Sequence, residues 1–208
     1  KNKHSIRSFR RRIKVMDMII TEPKWKKWVV KTTNPIFTPK LCQELIDLNK
    51  TLEKEKGKIL RPDENKLDLK IRKSTINWIP FDKMELVYND INNLVQKINR
   101  NHFGFSDIQI TEEAQITEYQ KDDFYDWHTD TSIEMALEPP VRKISMTVLL
   151  NDPSEFEGGD LEIANLTMNP MQQGHAAVFA SFLQHRVTPI TKGVRRSLVM
   201  WFGGEPFK

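Results

Sequence analysis

The chain has 208 residues, enough to bury one sizeable core, and a hydrophobic content of 38% is ordinary for a soluble globular domain. It contains no run of about 18 apolar residues, which a membrane span requires, and its single cysteine, Cys42, excludes an internal disulfide and favours a reducing, cytoplasmic location. The formal net charge of +4 invites a nucleic-acid partner, but the distribution of charge argues against one.

The basic residues are concentrated at the start of the chain. Residues 1–14 hold seven lysines and arginines and no acidic residue, and without these seven the remaining 25 basic residues face 28 acidic ones. We therefore predict a flexible basic arm over residues 1–20 and a single domain over residues 21–208. Because this domain has slightly more acidic than basic residues, we do not expect it to bind nucleic acid. For the arm, binding to nucleic acid, to an anionic surface or to an acidic partner stays open, as does a targeting role.

Residues 21–108 are predicted to be mainly helical support. Thr38 can cap a first helix and Pro39 suits its first position, with leucines following at helical spacing. Asp82 and Glu85 have the spacing of a capping box and open a second amphipathic helix. That helix is expected to run to Gly104 and to pack against a sheet. The polar stretch between the two helices, residues 57–73, predicts a loop.

Residues 109–208 change to short strands separated by turn residues, which predicts a double-stranded β-helix, or jelly roll, backed by the N-terminal helices. The fold class is thus mainly β with flanking helices. The predicted strands cover residues 114–120, 126–130, 141–150, 160–164, 176–180, 184–190 and 195–202.

Two histidines and one aspartate in this region have the chemistry of a metal site. His128 and Asp130 are two residues apart, so they project to the same side if Thr129 lies in a strand, and His185 follows on a later predicted strand. Two neutral nitrogens and one carboxylate suit Fe(II) and leave coordination positions open.

The last predicted strand places a cation on one face of the sheet. Arg195, Ser197, Val199 and Trp201 alternate and therefore share that face. A planar guanidinium binds both oxygens of a carboxylate, and the neighbouring serine hydroxyl adds one more hydrogen bond.

As an ordered set, these residues resemble the 2-oxoglutarate and Fe(II)-dependent oxygenases, in particular the prolyl 4-hydroxylase-like branch. The resemblance spans roughly residues 114–204. Besides the residues already named, it rests on Tyr119, Tyr125, Arg142 to Asn151, Glu157 to Leu161, Val187, Pro189 and Gly193.

The resemblance implies that His128, Asp130 and His185 bind Fe(II), and that Arg195 binds the distal carboxylate of 2-oxoglutarate. O2 would be the second co-substrate, and ascorbate is a further candidate. Some animal relatives have a tyrosine on the strand where this chain has Val148, Leu149 and Leu150. A second hydrogen bond to the co-substrate is therefore expected from Tyr119, Ser197 or Thr147.

The family chemistry implies hydroxylation of an unactivated C–H bond, coupled to decarboxylation of 2-oxoglutarate to succinate. We expect a prolyl or other side chain of a protein or peptide as the substrate, with Tyr125 and Arg142 as candidate contacts. The alternatives are an oxygenase of small molecules or nucleic-acid bases and a non-catalytic metal-binding barrel. The intact set of ligands disfavours the barrel, and the acidic body disfavours bases.

Overall fold

The computed structural model describes residues 28–57, 68–131, 139–166 and 170–207. The basic arm predicted over residues 1–20 lies outside these ranges, so it stays a prediction. Within the described ranges, the chain forms antiparallel sheets and two α-helices, and neither helix is long and apolar enough to cross a membrane.

The strands fall mainly in the second half of the chain, but several precede it. In chain order they are β1 (Val29–Lys31), β2 (Glu55–Lys56), β3 (Arg72–Lys73), β4 (Thr75–Ile79), β5 (Gln109–Ile110), β6 (Ala114–Tyr119), β7 (Phe124–His128), β8 (Val141–Leu149), β9 (Phe156–Gly158), β10 (Leu161–Ile163), β11 (Ala176–Ala180), β12 (His185–Val187), β13 (Ile190–Gly193) and β14 (Arg195–Gly204).

These strands form two sheets that face each other and a small additional ribbon. The large sheet has the order β1-β11-β8-β14-β6-β4-β2, with β5 pairing β14, and the small sheet has the order β10-β12-β7-β3. Strands β13 and β9 form the ribbon. All pairings are antiparallel, and the arrangement is the jelly roll predicted from the spacing of the strands.

The first helix, α1 (Pro39–Asn49), begins as its sequence predicts. The Thr38 side chain accepts a hydrogen bond from the Leu41 backbone N–H at 3.2 Å, and the proline occupies the first turn, where its missing N–H is harmless. The helix ends at Asn49, and a few residues later Glu55 and Lys56 pair with β4.

The second helix, α2 (Glu85–Ile98), forms without the predicted capping box. Its N-cap is Met84, which makes no side-chain hydrogen bond, and Asp82 lies in a separate 3-10 turn, Phe81–Lys83. A π-helical turn extends the helix, and Gly104 ends that turn in the left-handed region at φ 74°.

The main core joins both helices to one face of the large sheet. Helix α2 contributes Ile91, Val95 and Ile98 to this core, and the large sheet contributes alternate residues such as Ile144 and Leu198. Because these sheet residues point away from the small sheet, the opposite face of the large sheet is left to line the space between the sheets.

The loop predicted over residues 57–73 is only partly correct, because β3 occupies Arg72 and Lys73. The strand predicted over 126–130 lies two residues earlier, at Phe124–His128. The strand predicted over 184–190 is divided into β12 and β13. Strands of two or three residues are too short for side-chain alternation to reveal them, so their pairing partners decide where they lie.

The packing of α2 gives a stability prediction. Ile91 is 2% exposed in the main core, whereas Leu86 on the same helix is 79% exposed. Ile91→Ala should lower the free energy of unfolding by about 2–5 kcal/mol, because it removes buried methyl groups and leaves a cavity. Leu86→Ala is the matched control and should change the stability by less than about 0.5 kcal/mol in urea unfolding. Equal effects of the two substitutions would contradict this packing.

Candidate metal and co-substrate site

Two neighbouring strands of the small sheet bring the two histidines together. Strand β7 ends at His128, β12 begins at His185, and the two residues are direct cross-strand partners. Asp130 follows β7 by two residues, and its backbone N–H donates to the Ser181 carbonyl at 2.9 Å. Thr129 is therefore not in a strand, and a turn rather than strand alternation places the carboxylate beside the imidazoles.

The three side chains form a compact set of metal-binding atoms. One ligand atom from each of His128, Asp130 and His185 lies within 4.8 Å of the others. The Nε2 atom of His128 is 3.8 Å from Asp130 Oδ1, and the Nε2 atom of His185 is 3.5 Å from Asp130 Oδ2. These separations match atoms arranged around one common ion.

The protonation of both rings also fits a metal. His128 Nδ1 lies 2.8 Å from the Asp126 carbonyl oxygen, and His185 Nδ1 lies 2.9 Å from the Leu183 carbonyl oxygen. A carbonyl can only accept, so each Nδ1 carries a proton, and Nε2 is the nitrogen of each ring that faces the centre and can bind a metal.

Burial and mutual charge set the ionisation of this cluster. Burial, together with the neighbouring His185, lowers the pKa of His128 to about 3, which keeps the imidazole neutral at neutral pH. Burial alone would raise the pKa of Asp130, but His185 and His128 outweigh it and lower the pKa to about 2. The donor set at neutral pH therefore includes a neutral imidazole and a carboxylate.

A pair of buried serines orients the carboxylate. Ser145 Oγ donates to Asp130 Oδ2 at 2.6 Å, and it lies 2.9 Å from Ser181 Oγ. Both serines are at most 1% exposed. Sequence reasoning missed this contact, although a serine in the apolar strand β8 was a signal that something polar faces it.

The triad opens into a cavity of about 410 Å³ between the two sheets. Every residue proposed from the sequence for the metal, co-substrate or substrate lines this cavity: Tyr119, Tyr125, His128, Asp130, Arg142, Thr147, His185, Arg195 and Ser197. Val199 and Trp201 line the cavity together with Arg195 and Ser197, which confirms that these four residues share one face of strand β14.

Arg195 is the buried cation at one end of strand β14. It is 3% exposed, its Nη1 donates to Ser197 Oγ at 3.1 Å, and its Cζ lies 5.8 Å from the centre of the Tyr119 ring. Burial lowers the pKa of Arg195 and raises the pKa of Tyr119, so an arginine cation and a neutral phenol face the cavity together.

Gly159 leaves the space that Arg195 occupies. A Cβ at this position would overlap the Ile190 side chain and lie 2.7 Å from Arg195 Cδ, and the φ of 67° favours glycine in any case. The backbone of Gly159 thus packs directly against the arginine stem. Leu149, one of the three apolar residues on the strand where a tyrosine was considered, is 1% exposed and packs in a separate apolar cluster.

Arg142 and Tyr125 each have a partner in the structure. Arg142 makes two hydrogen bonds to Glu112, at 2.7 and 2.6 Å, and its Cζ lies 3.9 Å from the Trp201 ring centre. The Tyr125 ring stacks on the His128 ring at 3.4 Å and 10°. Either residue can contact a substrate, but each also holds another part of the site in place.

The N-terminal part of the chain adds cavity walls that sequence reasoning missed. Glu55, Arg72 and Trp78 line the cavity, and Arg72 is 7% exposed. Trp78 lies in Thr75–Ile79, where a run of β-forming residues was an available signal for a strand. Arg72 lay in a highly charged segment and had no comparable signal.

Comparison with known proteins is consistent with this geometry. Residues 114–203 match the family model described as the 2OG-Fe(II) oxygenase superfamily. A PKHD-type hydroxylase of Azoarcus sp. (strain BH72) is 38% identical over 82 residues, which cover 37% of this chain and 36% of that protein. One of Idiomarina loihiensis is 30% identical over 113 residues, covering 52% of this chain and 50% of that protein. The chain thus matches between about a third and a half of the length of these curated relatives.

Solved structures share the fold. A viral collagen prolyl hydroxylase from Paramecium Bursaria Chlorella virus-1 superposes with a TM-score of 0.66 at 19% identity, over 85% of this chain and 96% of that one. A prolyl hydroxylase from Trichoplax adhaerens, solved with a peptide fragment of hypoxia inducible factor, gives 0.68 at 16% identity, over 97% and 94%.

The resemblance drawn from the motifs is therefore confirmed. Over residues 114–203 the chain matches the model of the 2-oxoglutarate and Fe(II)-dependent oxygenase superfamily, and its similarity to PKHD-type and prolyl hydroxylases agrees with the branch that the motifs indicated.

The serine contact to Asp130 gives a prediction about metal affinity. Ser145→Ala should weaken Co(II) binding by about 10- to 100-fold, the usual effect of removing a hydrogen bond to a metal ligand. Ser154→Ala is the control, since Ser154 is exposed and is not part of the cavity wall. Titration of the metal-free protein with Co(II), followed by absorbance, measures both. Unchanged affinity in Ser145→Ala would show that the hydroxyl does not orient the carboxylate.

Proposed function

We propose that the chain is an Fe(II)- and 2-oxoglutarate-dependent hydroxylase. His128, Asp130 and His185 bind the iron, and Arg195 binds the distal carboxylate of the co-substrate. The observation that carries the proposal is the placement of a three-residue metal-binding set and a buried arginine in one cavity between the two sheets.

The chain's own residues position and shield the reacting groups. When bound, iron and 2-oxoglutarate supply the oxidation, with O2 as oxidant and succinate and CO2 as the products of the co-substrate. The backbone contacts of Nδ1 aim Nε2 of both histidines inward, and Ser145 holds one carboxylate oxygen. This preorganisation keeps the ligands from rearranging when a metal binds.

The co-substrate end offers a charge and two hydroxyl groups. The Arg195 guanidinium neutralises a carboxylate in a place where water is excluded, and Ser197, which accepts from Arg195, keeps its own O–H free to donate. Tyr119 and Thr147 also line the cavity. Within the described part of the chain, neither hydroxyl has a side-chain acceptor that would compete with the co-substrate for its hydrogen bond. Of these, Tyr119 lies next to the arginine and is the better candidate.

A protein or peptide side chain is the substrate class that we propose, with proline as the first residue to test. The PKHD-type hydroxylase and prolyl hydroxylase relatives support it. The cavity wall also supports it, because Trp78, Trp127 and Trp201 provide aromatic surfaces against which an apolar ring can pack.

The proposed role of Arg195 predicts that its removal lowers the affinity for 2-oxoglutarate. Arg195→Ala should weaken 2-oxoglutarate binding to the Co(II)-loaded protein by about 30-fold or more, since leaving a buried charge unpaired costs about 2–5 kcal/mol. Co(II) affinity should change far less. Arg196→Ala is the control, because Arg196 pairs with Glu118 and is not part of the cavity wall. Calorimetric titration with 2-oxoglutarate measures all three proteins, and equal affinities would place the carboxylate elsewhere.

A panel of substrates tests the reaction. Proline-containing peptides should raise succinate production and gain one oxygen atom by mass spectrometry, whereas the same peptides with proline replaced by alanine should not. Free amino acids and damaged oligonucleotides are the alternative substrates, and Asp130→Ala, which lacks a proposed metal ligand, is the inactive control. Turnover with free amino acids only would exclude the peptide substrate and keep the reaction class. Full turnover by Asp130→Ala would exclude that residue from the metal site.

A further inference from the structure

A buried arginine outside the family match connects the two sheets beside the metal site. Arg72 is 7% exposed and lies on β3, the edge strand of the small sheet. Its Nε donates to Ser74 Oγ at 2.9 Å, and its Nη2 donates to Gln115 Oε1 at 2.9 Å. Gln115 belongs to β6 of the large sheet, so this one side chain spans from one sheet to the other.

The same guanidinium contacts the aromatic ring that stacks on His128. Arg72 and Tyr125 are cross-strand partners in the β3–β7 pair, and the guanidinium Cζ lies 4.6 Å from the centre of the tyrosine ring. That ring lies 3.4 Å from the His128 ring and almost parallel to it. Gln115, Arg72, Tyr125 and His128 therefore form a continuous chain of contacts.

The backbone near Arg72 leaves its side chain little freedom. The Gly57 N–H donates to the Ser74 carbonyl at 2.9 Å, and a Cβ at Gly57 would overlap both the Ser74 hydroxyl and the guanidinium. Only glycine allows the chain to pass this close. The position of the guanidinium is thus set on three sides, by Gly57, Ser74 and Gln115.

Stability alone is a weak reason for this arrangement. Burying a guanidinium has a large desolvation cost, and an apolar side chain of similar size would join the two sheets at least as well. A planar guanidinium can, however, donate to two acceptors in its plane while its face contacts an aromatic ring. Lysine has neither the fork nor the flat face.

We infer that Arg72 is a positioning residue that holds Tyr125 against His128 and so fixes the orientation of this imidazole in the metal site. The inference rests on the proposed metal-binding role of the triad. It assigns to the N-terminal part of the chain, outside residues 114–203, a function in the metal centre itself.

The main test compares metal binding in single and double variants. Arg72→Met removes the guanidinium and keeps the apolar stem, and Arg72→Lys keeps the charge alone. In Co(II) titrations of the metal-free protein, both should bind about tenfold more weakly than wild type, as is usual for residues that support a metal ligand. The ligand-field absorption of bound Co(II) should also shift. The matched control, Arg196→Met, breaks an ion pair outside the cavity and should bind as wild type.

A double-mutant cycle tests whether Arg72 acts through the tyrosine. Tyr125→Leu removes the ring between Arg72 and His128. If the arginine acts through this ring, Arg72→Met should weaken Co(II) binding no further in the Tyr125→Leu background. Thermal unfolding of each metal-free variant separates loss of stability from loss of ligand orientation. If Arg72→Met does not fold, Gly57→Ala takes its place in the test. This substitution displaces the guanidinium without removing it, and it should weaken Co(II) binding in the same way.

Three results would overturn the inference. Wild-type Co(II) affinity in Arg72→Met or, where that variant does not fold, in Gly57→Ala would show that the metal site does not need the arginine. An undiminished effect in the Tyr125→Leu background would show that Arg72 acts by another route, including direct contact with co-substrate or substrate. Failure of the wild-type protein to bind Co(II) would instead contradict the proposed metal site, and with it any role for Arg72 there.

Discussion

The antiparallel pairing of β7 with β12 is the interaction on which the site depends. It places His128 opposite His185 although 57 positions separate them in the chain. The Nδ1 atom of each ring then lies within hydrogen-bonding distance of a backbone carbonyl, and the turn after β7 places Asp130 beside both rings. A slip of one residue in this register would turn one histidine to the other face of the sheet and destroy the metal-binding set.

Buried charge is the second constraint, and the structure meets it with specific partners. Among the described residues, three arginines line the cavity, and each has partners: Arg72 has Ser74 and Gln115, Arg142 has Glu112, and Arg195 has Ser197. A buried guanidinium without acceptors would be costly, so these contacts also restrict where each cation lies. The hydrogen bonds thus place these groups before a metal or co-substrate binds.

The regular elements were largely predictable and the short ones were not. Helix α1 has its cap at Thr38 and strand β11 occupies Ala176–Ala180, both as predicted, because capping and turn residues mark these boundaries locally. The capping box at Asp82 did not form, since Met84 precedes the helix instead. Strand β3 has only two residues, and its pairing with β7, rather than its own sequence, makes it a strand.

The sequence by itself determined the chemistry of the site: which side chains can bind a metal, which cation can bind a carboxylate, and that Arg195 and Ser197 share one strand face. Those properties depend on residue type and on spacing within one strand. Only the tertiary structure decided that Ser145 supports Asp130 and that Arg72 reaches Gln115 and Tyr125. Such contacts join residues from different strands and sheets, and their partners follow from register and sheet packing, which no local pattern in the chain encodes.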